Sequence, residues 1–106
     1  MTKVHVESGI CGFSSTIRVS KGKRRKVGLV IESTCEMVDA LGSELQELDM
    51  LDVMKNPIHQ NPVYMKAGQC KLHASCPVPC GVIKAAEAEL GLALEKDVKM
   101  KFVTEK

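Results

Sequence analysis

Ser14-Ser15-Thr16-Ile17-Arg18-Val19-Ser20-Lys21-Gly22-Lys23-Arg24-Arg25-Lys26-Val27-Gly28-Leu29-Val30-Ile31 decides the fold class. From Ser14 to Ser20, Ile17 and Val19 fall on one face, and Thr16, Arg18 and Ser20 on the other. Period-two alternation of that kind is the mark of a half-buried strand. The run Lys21-Gly22-Lys23-Arg24-Arg25 reads as a tight basic hairpin loop. A second strand, Val27 to Ile31, follows, and its continuous Leu29-Val30-Ile31 predicts a more buried place in the sheet.

Upstream, Lys3 to Glu7 alternates in the same way, with Val4 and Val6 on one side. Ser8-Gly9-Ile10-Cys11-Gly12 then makes a turn in which glycines flank Cys11. Downstream, Ser33 and Glu36 have the spacing of a capping box. Met37, Val38, Leu41, Leu45 and Leu48 follow at helical spacing, so a helix is expected over about residues 34–48. Gly42 weakens that helix by about 1 kcal/mol relative to Ala unless close packing requires it.

Between Asp49 and Gln60 the pattern supports either an extension of the helix or a short second one. Asn61-Pro62 is an N-cap followed by proline at the first helical position, so one or two turns should run to Gly68. Pro79 opens a last helix with an apolar stripe of Val82, Ile83, Ala86 and Leu90, and Gly91 is its stop. Val98, Met100 and Phe102 alternate with Lys99 and Lys101 as a final strand. The order β-β-β-α-α-β predicts one α+β domain over residues 1–106, an antiparallel sheet of about four strands with helices on one face.

Cysteine is the residue that carries chemistry here. Cys76 and Cys80 bracket Pro77-Val78-Pro79, and the prolines restrict the loop and lower the entropy lost on ligation. With two hairpins in the sheet, Cys11 and Cys35 come to the end of the sheet where the last helix begins. Cys35 and Cys80 fall in the first turns of predicted helices, where unpaired N–H groups favour thiolate. Cys11, Cys35, Cys76 and Cys80 are therefore expected to form one four-thiolate site. Cys70 has no such context and reads as a small core residue or spare thiol. His73 reads as incidental, and His5 and His59 as solvated.

Iron–sulfur clusters accept scattered cysteines with glycines nearby, and Cys76-Pro77 has the Cys-Pro pairing of ferredoxin-type runs. The expected occupant is a cluster, [4Fe–4S] in type. Zinc is the alternative, although only Cys76 and Cys80 match its usual paired spacing. A metal-free thiol site using Cys76 and Cys80 is another.

The whole-chain numbers narrow the classes. Five cysteines are an odd number, and no apolar leader precedes them, which disfavours a secreted disulfide framework and points to the cytoplasm. No apolar run approaches the roughly 18 residues of a membrane span. Net charge is +2, yet Lys21, Lys23, Arg24, Arg25 and Lys26 are five of the fifteen Lys and Arg, leaving ten against thirteen acidic residues. The basicity is one local feature. With aromatics at 3% there is little for bases to stack on, so nucleic acid is not the expected partner. A larger redox or cluster-receiving protein is the expected one. No Ser/His/Asp arrangement, phosphate loop or paired carboxylate motif supports another enzyme class.

The segments Gly9-Ile10-Cys11-Gly12-Phe13, Glu32-Ser33-Thr34-Cys35-Glu36 and His73-Ala74-Ser75-Cys76-Pro77-Val78-Pro79-Cys80-Gly81 resemble a small family of uncharacterised cysteine-containing proteins of anaerobic archaea and bacteria. The resemblance spans nearly the whole chain. It implies an anaerobic setting, which suits an oxygen-sensitive cluster, and it implies no activity.

Overall fold

The computed structural model describes residues 1–105. Three long strands and one short one make an antiparallel sheet in sequence order: β1 (Thr2–Glu7), β2 (Ser14–Lys21), β3 (Lys26–Ser33) and β4 (Glu47–Asp49). Val4 lies opposite Ile17, and Ile17 opposite Ile31, so the apolar sets of the long strands share one face. Ile17, Val19 and Val27 are fully buried there. The opposite face is open and charged, with an Arg18–Glu32 ion pair across β2 and β3 and Lys26 3.3 Å from Glu47. Val30 belongs to this open face and is 57% exposed. The Leu29-Val30-Ile31 run is thus an alternating strand after all, with only its flanking members buried.

The helices cover the apolar face: α1 (Glu36–Glu44), α2 (Met50–Met54), α3 (Pro62–Gln69) and α4 (Val78–Glu89). The α+β class therefore holds. Two helices touch the sheet through glycine. A Cβ on Gly42 of α1 would lie 3.0 Å from the Ile31 carbonyl oxygen, and one on Gly81 of α4 would lie 2.9 Å from Val6 Cγ2. Gly42 is present for close packing.

Three local expectations change, and one open alternative is decided. Helix α1 is capped by Cys35 and begins at Glu36, while Ser33 stays in β3 opposite Ser15. It ends at Glu44, and Leu48 enters β4 opposite Val27. The 49–60 stretch makes the separate short helix α2 and a 3₁₀ turn at Ile58–Gln60. Residues 92–105 form no strand, so β4 rather than Val98–Phe102 is the fourth member of the sheet. Asn61 and Pro62 begin α3 as the sequence predicts, and Gly91 stops α4 with φ +76°.

Candidate functional site

Strands β1 and β3 run towards one end of the sheet, and α4 starts there. The β1–β2 connection is a 3₁₀ turn, Gly9–Cys11, closed by Gly12 in the left-handed region at φ 74°. Ser8 N–H donates to the Phe13 carbonyl at 3.0 Å, which pins the base of the loop. Cys11 is held out at the tip, exposed, with its Sγ 4.0 Å from the Ser8 carbonyl.

Cys35 leaves β3 as the cap of α1. Its N–H donates to Ser33 Oγ at 3.1 Å, and Ser33 Oγ is itself bonded to Ser15 Oγ at 2.8 Å. The thiol is buried. Cys76 sits in the loop before α4, half-buried, its N–H donating to the His73 carbonyl at 2.9 Å.

These three cysteines line one pocket of about 80 Å³. Phe13, Met37, Val38 and Leu72 supply apolar wall, and His73 joins them. Burial pushes the Cys76 thiol above the ordinary cysteine value. The Val78 N–H at the start of α4 pulls the other way, and negative charge on Cys35 and Cys11 pushes it up again. Cys35 and Cys11 thus lie near enough to Cys76 for their charge to act on its thiol. One N–H of the α4 terminus, that of Val78, also acts on Cys76.

Cys80, in the first turn of α4, is exposed and outside the lining of this pocket. It stands beside Tyr64 of α3, whose hydroxyl is pushed up by burial and then by the Cys80 charge. Cys70 caps α3 and is half-buried against the core, in keeping with a small packing residue. His73, which sequence reasoning took as incidental, lines the pocket; three residues from Cys76, its proximity was the available signal. The basic loop lies at the far end of the sheet from the pocket.

Among the described residues, no three His, Cys, Asp or Glu side chains converge closely enough to grip a single metal ion. Among the described residues, no helix is long and apolar enough to cross a membrane.

The sequence profile of a family of unknown function, DUF6951, matches residues 2–102. No curated protein and no solved structure matches the chain.

Proposed function

The chain belongs to DUF6951, a family of unknown function, and from the site itself we propose that the protein binds a cysteine-ligated iron–sulfur cluster. Cys11, Cys35 and Cys76 supply three thiolates, and the cluster is of the [4Fe–4S] type. One observation carries this reading: three cysteines from a turn, a helix cap and a pre-helix loop line a single apolar pocket. Cys80 is the proposed fourth ligand. To serve, its side chain must turn from Tyr64 towards the pocket.

The apolar walls would keep water from the cluster, and burial of this kind is one of the levers that set its potential. The protein would then carry electrons, or deliver the cluster, for a larger protein in the cytoplasm that docks at the cysteine end. An exposed thiol near a helix start also supports a second reading, with Cys80 as a thiol-exchange nucleophile resolved by Cys76. Zinc held by these cysteines is a third.

Purification without oxygen separates them. The expected result is brown protein with about four iron and four sulfide per chain, lost on Cys11→Ser, Cys35→Ser or Cys76→Ser. Colourless protein with one zinc makes the site a structural metal centre. Colourless, metal-free protein that loses thiol-exchange activity only at Cys80 or Cys76 establishes the thiol reading.

A further inference from the structure

The C-terminal segment has the pattern of a strand but joins no sheet within its own molecule. Val98, Met100 and Phe102 alternate with Lys99 and Lys101, yet residues 92–105 carry no regular structure. Leu94, Met100, Phe102 and Val103 are each more than 80% exposed. An eight-residue strand spans about 26 Å, while the molecule is 51 Å long and only 28 by 26 Å across. The segment therefore projects beyond the folded body. It also belongs with the domain, because the family match continues to residue 102.

The sheet meanwhile has one long free edge. Strand β4 is only three residues long and passes directly into α2, whereas β1 pairs with β2 on one side and with no described strand on the other. The outer edge of β1 thus presents unpaired backbone groups over six residues. Its core-facing Thr2 and Val6 are buried, but Val4 between them is only half-buried, although its partner Ile17 is fully covered. A further strand would complete that coverage.

We propose that residues 97–103 of one molecule add as a strand to the β1 edge of a second copy, and that the exchange is mutual, giving a two-fold dimer. An antiparallel register with Met100 opposite Val6 and Phe102 opposite Val4 puts both apolar side chains on the helix-covered face. The same register puts Lys99 opposite Glu7 and Lys101 opposite His5 on the charged face. Glu7 is 84% exposed on its side chain and lies 3.9 Å from His5 Nε2, so its carboxylate faces the edge where that lysine would stand. The fit is thus one of length and of parity, with one opposite-charge pair, Lys99 with Glu7.

Light scattering or sedimentation of the full chain tests this, together with Met100→Asp/Phe102→Asp in the same chain. The expected result is a mass of twice 11.6 kDa for the unmodified protein, halved in the double variant with its circular dichroism and melting retained. A synthetic peptide covering residues 96–103 should also dissociate the dimer. A monomer at every concentration up to several hundred micromolar overturns the proposal, whether or not the segment is protected from hydrogen exchange on its own β1. A dimer that survives the double substitution overturns it as well, because another face then holds it. Neither readout depends on a bound cluster.

Discussion

At the residue scale, three glycines in helical surroundings make opposite demands, and the difference is geometric. Gly68 of α3 has nothing within 4 Å of where a Cβ would stand, so alanine there gains helix propensity and restricts the unfolded chain. Gly68→Ala should stabilise the protein by about 0.5–1 kcal/mol. At Gly42 the first obstacle is the Ile31 carbonyl oxygen at 3.0 Å, part of the backbone of a strand paired with β2 at that residue. It cannot step aside as a side-chain tip can. Gly42→Ala should cost about 1–2 kcal/mol despite the same propensity gain. Gly81 is intermediate, because its obstacles, Val6 Cγ2 and Ile17 Cδ1, are side-chain ends in a packed core. Urea unfolding of the Gly68 and Gly42 variants measures the contrast. Equal effects of one sign would mean that propensity alone governs both positions and that α1 does not rest on β3 so closely.

At the element scale, Asn61 joins two helices through one side chain. Its Oδ1 accepts from Val63 N–H at 2.9 Å, capping α3. Its amide donates to the carbonyls of Asp52, Val53 and Lys55, at 3.0, 3.4 and 3.2 Å, at the end of α2. The residue is only 3% exposed, so water cannot replace these bonds. Asn61→Ala loses a cap and leaves carbonyls unpaired, a loss of about 2–4 kcal/mol. Asn61→Asp keeps the cap but points a carboxylate at three carbonyl oxygens, and at pH 7 it should be no more stable than the alanine variant. Chemical denaturation of the two variants checks this. The Asn61-Pro62 signal was legible because capping is local chemistry. The start of α1 was not. Ser33 and Glu36 have capping spacing, but the β2–β3 ladder continues to Ser33, and its hydroxyl is already engaged with Ser15. Strand β4 was hidden too, since three residues are too few to show alternation and Leu48 also fits the helical period. The site shows the same division. Two hairpins fix which end Cys11 and Cys35 reach, so their convergence with Cys76 could be read. The direction of Cys80 could not, because Cys76 lies outside the helix and the i, i+4 spacing does not set both thiols on one face.

At the scale of the whole molecule, the end of the sheet away from the cysteines is closed by one carboxylate. Glu89, on the last turn of α4, accepts from Thr2 Oγ1 at 2.7 Å and from the Lys21 N–H at 3.1 Å, and lies 3.5 Å from the amino terminus. It ties the start of β1, the end of β2 and the final helix together across almost the full length of the sequence. The Thr2 hydroxyl is the main cause of a carboxyl value held below the usual range; burial opposes it, while the Lys21 N–H and the terminal ammonium add to it. The sign of the pH dependence follows. An unfolded glutamate takes up its proton near pH 4.3, roughly, and the folded one only at lower pH. Between those values the unfolded chain binds more protons, so stability falls as pH falls. The contribution is complete above the unfolded value and gone below the folded one. Glu89→Gln should therefore melt several degrees lower than the unmodified protein at pH 7. That gap should narrow steadily as pH drops below about 4. Thermal melts of both proteins from pH 7 to pH 2.5 decide it. A gap that stays constant would mean that Glu89 stabilises the fold through shape and neutral hydrogen bonding rather than through its charge, and the closure of this end would not be electrostatic.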